Sequence, residues 1–248
     1  MNTYLKQLIS AKTDDASYMR ITTMTIVASF GRLLDIQKIK TTFRENIINI
    51  KGFLWTVKEN KFFNQVTIEH RNTYSKKSIK LFPNGSVHVT GCSDLDDATL
   101  VIKQICALIK MIFDDQEYNI DTYRVVMINS NFVMKYTLNL SSVIQVMKET
   151  GHKVSFNPET YSAVKIKTEK ATISIFCSGS IIITGAQSLN DIIETYKELL
   201  TLLPSCKLAD IQNQKTEHFD YFQGHHMNDL KAHLFSQSTV NVNSIRNG

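Results

Sequence analysis

A ten-residue phrase occurs twice in this chain of 248 residues. Phe82-Pro-Asn-Gly-Ser-Val-His-Val-Thr-Gly91 returns as Phe176-Cys-Ser-Gly-Ser-Ile-Ile-Ile-Thr-Gly185. Phe82 and Phe176, Gly85 and Gly179, Ser86 and Ser180, Thr90 and Thr184, and Gly91 and Gly185 share one offset, 176 − 82 = 94. Leu95/Leu189 and Asp97/Asp191 carry the same offset into the segment that follows. A repeat of fixed period constrains the architecture before any local reading does. Identities kept through a strand, a turn and a helix start mark a duplicated α+β unit.

Local patterns fill in the unit. Ile21 to Phe30 is rich in β-branched residues and reads as a strand; Leu33 to Phe43 has apolar residues at helical spacing. Strands follow at Gly52–Glu59, Phe62–His70, Ser78–Phe82 and Ser86–Thr90, the last two joined by the turn pair Asn84-Gly85. A helix from about Asp94 to Phe113 sets Ala98, Val101, Ile105, Leu108 and Ile112 on one face. The second half repeats the order. A strand at Tyr123–Phe132 and a helix at Leu140–Thr150 precede strands near Val154–Phe156, Tyr161–Thr168, Ala171–Phe176 and Ser180–Thr184. A helix at Ser188–Leu203 closes the half, with Ser188 at its N-cap position and Pro204 beyond its end.

The expected organisation is therefore a loosely held N-terminal arm (1–19), repeat 1 (20–117), repeat 2 (118–206) and a polar tail (207–248), with a short helix possible at Asn228–Phe235. The four cysteines form no C-x-x-C pair, and Cys92 and Cys177 do not share a repeat position, which argues against a duplicated disulfide or zinc framework and for a reducing compartment. Apolar runs are too short for a membrane span, and the N-terminus has no signal-peptide pattern. A net charge of +5 permits an anionic partner without demanding one. No phosphate loop, nucleophile elbow, zincin helix or catalytic carboxylate pair occurs, so no enzyme, cofactor or metal is expected. His218, His225, His226 and His233 lie in the polar tail without ligands at metal spacing.

Strand alternation separates the two faces of each sheet. Phe82, Asn84, Ser86, His88 and Thr90 point one way, and Leu81, Val87 and Val89 the other. Phe176, Ser178, Ser180, Ile182 and Thr184 share the corresponding face in the second copy. The apolar faces suit the long helices. That leaves in each repeat an uncovered face bearing an aromatic, small hydroxyls and a threonine, and such a face calls for a partner.

The phrase Phe-x-[Ser/Asn]-Gly-x-x-x-x-Thr-Gly, twice, each time preceded by a strand–helix–strands unit and followed by a capped helix, resembles the core of the TATA-box-binding protein family over roughly residues 20–206. Leu34-Asp35-Ile36 at the start of the first helix is also similar. The resemblance implies an α+β fold, the TATA-binding-protein-like saddle: two pseudo-symmetric repeats forming a curved antiparallel sheet, with helices on the convex face. It implies a DNA-binding transcription initiation factor that bends A/T-rich promoter DNA from the minor groove and nucleates a pre-initiation complex. Minor-groove wedge proteins, of which this family is itself a standard example, offset an unstacking cost of a few kcal/mol per step with the surface that bent DNA wraps.

By the same resemblance Phe82 and Phe176 are the second members of two wedge pairs, with Phe63 and Tyr161 as the first. Thr90 and Thr184 match threonines that meet base edges, although both could equally be β-formers before a turn. Thr23, Thr25, His88, Asn129 and Ile182 complete the implied minor-groove face, and Arg71, Lys165 and Lys167 the phosphate contacts. The implied partners are A/T-rich double-stranded DNA, general transcription factors similar to IIB and IIA, and RNA polymerase machinery. No membrane partner is implied, and the DNA-bound form is monomeric. The location implied is the nucleus, or a cytoplasmic viral factory or virion for a viral lineage, since the divergent surface fits a viral or protist branch.

Departures from the family pattern lie in the charges. Ser86 and Ser180 stand at two lysine positions, Ser93 and Gln187 at two more, and Glu69 at a strand arginine for which Lys167 is the counterpart. An ungapped match puts Thr23 and Met127 where the family reads central bases with Asn; Asn129 or Asn131 serves if the register slips. Lys76, Lys77 and Lys80 read as a solvated hairpin edge, and the outer helix faces (Lys103, Lys110, Lys197, Glu198) as partner surfaces through the family alone. These losses leave a second expectation, a protein-interaction module or transcription regulator of the same fold that no longer binds DNA strongly.

Overall fold

The structure is a computed structural model and describes residues 10–11, 13–50, 52–58, 64–71, 75–211, 221–222 and 225–226. They fall into two units, Thr22–Ile128 and, together, Met1–Ile21 with Asn129–Gly248. The first unit runs β1 (Arg20–Ser29), α1 (Ile36–Glu45), β2 (Ile48–Ile50), β3 (Phe53–Lys58), β4 (Val66–Arg71), β5 (Lys76–Leu81), β6 (Ser86–Cys92) and α2 (Leu95–Phe113). Its strands lie in the order β2-β3-β4-β5-β6-β1, each paired antiparallel to the next.

The second unit takes β7 (Tyr123–Val133) from Asn129 onward, then β8 (Tyr136–Leu138), α3 (Leu140–Glu149), β9 (Lys153–Asn157), β10 (Tyr161–Lys167), β11 (Thr172–Phe176), β12 (Ser180–Ala186), α4 (Leu189–Leu202) and β13 (Lys207–Asp210). Its main order is β7-β12-β11-β10-β9, and β13 pairs with β8. The fold is α+β, with antiparallel ladders and, among the described residues, the four helices α1–α4.

The duplication extends to the helix caps. The Asp35 carboxylate accepts from the backbone N–H groups of Gln37 and Lys38, and the Asn139 side chain accepts from those of Ser141 and Ser142, at offset 139 − 35 = 104. Each cap satisfies donors that an α-helix leaves orphaned in its first turn. Asp94 and Ser188 cap the long helices in the same manner, and Ser188 with Asp191 forms a full capping box.

The paired glycines of the repeated phrase have a steric cause. Gly85 and Gly179 both sit at φ +83°, and a Cβ would lie 2.1 Å from the Arg32 carbonyl oxygen in one repeat and 2.5 Å from that of Tyr136 in the other. The chain runs this close because the Gly85 carbonyl accepts from Phe30 N–H and the Gly179 carbonyl from Met134 N–H, at 3.0 and 2.9 Å. No side chain fits there.

Burial follows the expected alternation. Leu81, Val87 and Val89 in one repeat and Ile175, Ile181 and Ile183 in the other are buried. In the first unit α1 lies against β3 and β4, and α2 against β6 and α1. In the second, α3 lies against β9 and β10, and α4 against β12. From α2 come Ala98, Val101, Ile105, Leu108 and Ile112, and from α4 Ile192, Ile193, Tyr196 and Leu199, all buried. Each full burial of a large aliphatic side chain stabilises the fold by roughly 1.5–3 kcal/mol.

Several regions differ from the sequence reading. Residues 16–19 are not loosely held: Ala16, Tyr18 and Met19 are buried, Ala16 bridges Met134, and Ser17 N–H donates to the Val133 carbonyl at 2.8 Å. Lys77 is not on a solvated edge. Period-two alternation turns it inward, where it is 1% exposed, with Nζ 2.8 Å from Asp97 and 2.6 Å from the Ser75 hydroxyl. The polar tail begins as structure, since Lys207–Asp210 is a strand paired with β8. His218, His233 and the segment 228–235 lie outside the described residues.

Candidate nucleic-acid interface

The face opposite the helices is built from alternate residues of each ladder. In the first repeat Thr25, Val27 and Ser29 on β1 stand opposite Thr90, His88 and Ser86 on β6. Thr90 and His88 in turn face Ser78 and Lys80 on β5. In the second repeat Thr184 and Ile182 on β12 stand opposite Thr172 and Ser174 on β11. Phe176 and Lys165 complete that face, opposite Ala163 and Ser174 respectively. Each face therefore mixes aromatic, β-branched and hydroxyl side chains.

The structure brings one proposed aromatic pair together. Tyr161 and Phe176 meet edge to face, with centroids 5.6 Å apart and planes at 68°. Lys165 Nζ lies 4.4 Å from the centre of the Tyr161 ring, a cation–π distance. In the first repeat Phe63 lies outside the described residues, and Phe82 packs instead on His88 at 5.0 Å. This contact gives His88 a local role that its place in the motif did not reveal.

The hydroxyl and amide positions are partly engaged. Thr25 Oγ1 donates to Thr90 Oγ1 at 3.4 Å, and Thr184 Oγ1 to the Thr172 carbonyl at 3.3 Å. The Asn129 Oδ1 accepts from Gly185 N–H at 3.1 Å, so this amide side chain reaches the edge of the repeated phrase. Asn129 occupies the place in β7 that Thr25 occupies in β1, at the 104-residue offset already set by the helix caps, 129 − 25 = 104. Thr23 is half-buried, and its hydroxyl has no hydrogen-bond partner among the described residues.

The basic positions behave differently in the two repeats. Arg71 does not stand alone. With Lys58 and Lys76 it surrounds Glu69, at 3.7, 3.1 and 2.9 Å respectively. Hydrogen bonds from Lys76 and then Lys58 hold the Glu69 carboxyl below its ordinary pKa, against the opposing effect of desolvation. Sequence reading missed this cluster, because Lys58 and Lys76 reach Glu69 only through the β3–β4–β5 register. Lys165 and Lys167 are exposed and pair with no carboxylate among the described residues.

Together these features define a class: a duplicated α+β protein with an open, aromatic- and hydroxyl-bearing sheet face in each repeat. Comparison with known proteins makes it specific. Residues 122–206 match the family model described as transcription factor TFIID, or TATA-binding protein. A TATA-box-binding protein-like protein of Acanthamoeba polyphaga mimivirus is 28% identical, over 90% of this chain and 77% of its own length. The TATA-box-binding protein of Thermococcus kodakarensis is 27% identical over 56% of this chain and 72% of its own. The solved structure of Methanococcus jannaschii TBP shares the fold at a TM-score of 0.56, with 18% identity, 76% of this chain covered and 99% of that one. The chain is thus similar to the TATA-box-binding protein family, with the family model matching residues 122–206 and the archaeal structure sharing the fold.

Proposed function

We propose that this chain binds A/T-rich double-stranded DNA through the minor groove, bends it, and nucleates assembly of a transcription initiation complex. The observation that carries the reading is the pair of equivalent sheet faces that neither repeat covers with its own helices. One presents Phe82 with Thr90 and Thr25; the other presents Tyr161 and Phe176 with Thr184. An aromatic face inserts between base steps at the cost of unstacking, which wrapped surface offsets. Threonine hydroxyls and methyls suit A·T pairs, which show acceptors and no protruding amino group in the minor groove. Phe63 serves as the partner of Phe82. Thr23, Ile182, His88 and Asn129 line the groove, Lys165 and Lys167 meet phosphates, and Arg71, the third basic position, lies beside Glu69.

In this reading the helical side of the fold receives general transcription factors similar to IIB and IIA and the polymerase machinery, and the protein acts where its genome is transcribed. A second reading, a protein-interaction module with weak DNA binding, is favoured by one observation: Glu69 ties up the basic side chains of the first repeat. Titrating labelled A/T-rich and scrambled duplexes of equal length separates the two. Binding of the A/T-rich duplex at least tenfold tighter supports the first; equal affinities or no binding reject it in favour of the second.

A further inference from the structure

Glu69 and Lys167 occupy the same rung of the duplicated sheet. Glu69 faces Ser78 across β4–β5, and Lys167 faces Thr172 across β10–β11. Ser78 and Thr172 are related by the repeat offset, 172 − 78 = 94. The neighbouring rung agrees: Thr67 faces Lys80, Lys165 faces Ser174, and 174 − 80 = 94. One position on the open face therefore carries a negative charge in repeat 1 and a positive one in repeat 2.

The surroundings amplify the reversal. The Glu69 side chain is only 10% exposed, while Lys58, Arg71 and Lys76, at 48%, 53% and 65%, converge on it from three strands. Three cations and one anion leave this cluster at 3 − 1 = +2, with the ammonium groups donating to the carboxylate. On the other repeat Lys167 faces Lys153 of β9, and Lys165 lies two residues along on the same face. Among the described residues none of these three lysines pairs with an acid.

We propose that Glu69 is an internal counter-ion that withholds Lys58, Arg71 and Lys76 from DNA phosphates, so that the salt-dependent grip rests on Lys153, Lys165 and Lys167 of the second repeat. The inference rests on the DNA-binding reading above. A phosphate approaching the first repeat meets two ammonium groups that already donate to a carboxylate and a guanidinium 3.7 Å from it, and it meets the charge of that carboxylate as well. Only cations that neutralise phosphates release counterions, and each contributes roughly 0.9 to the slope of log K against log salt. Repeat 1 thus adds aromatic and hydroxyl contacts and the exposed Lys80 beside His88, while repeat 2 supplies most of the electrostatic attachment.

The test is the affinity of the full chain for an A/T-rich duplex between about 50 and 200 mM salt, for wild type, Glu69→Gln, Lys76→Gln and Lys167→Gln, with thermal melts to confirm folding. Glu69→Gln is expected to bind more tightly and to steepen the slope by roughly 1 or more. Lys167→Gln should flatten it by roughly 1, while Lys76→Gln leaves it within error. The inference is overturned if wild type binds but Glu69→Gln changes neither affinity nor slope, or if Lys76→Gln flattens the slope as much as Lys167→Gln. Should Glu69→Gln fail to fold, the two lysine variants still decide. If neither wild type nor Glu69→Gln binds at any salt, the DNA-binding reading itself falls and takes the inference with it.

Discussion

Tyr161 and Phe176, on adjacent antiparallel strands, meet edge to face at 5.6 Å and 68°. Residues in such contact act as a unit, with coupling energies of about 0.5–3 kcal/mol in double-mutant cycles. A single wedge built from both rings therefore loses most of its effect when either is removed. Tyr161→Ala and Phe176→Ala should each weaken binding to an A/T-rich duplex about tenfold or more, the double variant falling well short of the product. Full additivity in an equilibrium titration contradicts a shared wedge.

The steric account of the repeated glycines ranks two substitutions. Gly179 and Gly185 have nearly the same dihedral, φ +83° and +81°, but only at Gly179 does a Cβ meet backbone, the Tyr136 carbonyl oxygen at 2.5 Å. A positive φ alone costs an alanine about 1 kcal/mol or more, and a forced backbone shift adds to it. Gly179→Ala should lower stability in urea melts by at least about 2 kcal/mol, and clearly more than Gly185→Ala. Equal losses would mean that the dihedral, not the close approach, keeps glycine in the phrase.

His70 links stability to pH. It is 1% exposed, its Nε2 lies 2.8 Å from Gln104 Oε1, and its ring stacks on Phe53 at 4.3 Å. Desolvation lowers its pKa from the ordinary 6.5, an effect that the Gln104 bond and the charge of Asp97 only partly oppose. The unfolded chain then binds a proton before the folded one does. Stability is complete above about pH 6.5 and is lost as pH falls from there through the lowered folded value. Between pH 7.5 and 5.5 the wild-type melting temperature should fall, and that of His70→Gln should fall less. Parallel declines would place the titrating group elsewhere.

Lys77 and Asp97 form an ion pair in which the lysine is almost wholly buried, 2.8 Å from its partner. Removing the carboxylate leaves the charge of a buried amine uncompensated, at about 3–5 kcal/mol in comparable cases. Lys77→Met leaves Asp97, 21% exposed and still accepting from Ser93 N–H, far better served. Asp97→Ala should therefore destabilise much more than Lys77→Met in urea melts. The reverse order would contradict the pairing.

The repeated phrase made most of the fold legible, because the turn glycines, the capped helices and the two-residue strand period all act locally. The alternation that set Val87 and Val89 inward was readable for the same reason. Ala16–Met19 were not legible as core: their partners, Val133 and Met134, are more than a hundred residues away in sequence. Ile48–Ile50 and Tyr136–Leu138 escaped notice because three residues carry no period. Lys77 was misread because a lysine pair looks like a solvated edge until the register shows which of the two turns inward. At the candidate site Tyr161 and Phe176 could be paired through the resemblance. The gathering of Lys58, Arg71 and Lys76 around Glu69 required three strands to be aligned.

The central claim is that aromatic side chains on these open faces bend DNA. The most direct measurement is the end-to-end distance of a doubly labelled A/T-rich duplex, by fluorescence energy transfer, at saturating protein. Wild type should shorten the distance markedly, and Phe82→Ala/Phe176→Ala, compared at its own saturation, should leave it close to that of free DNA. A saturated wild-type complex with the distance of free DNA, or an unchanged bend without the two phenylalanines, would contradict the account.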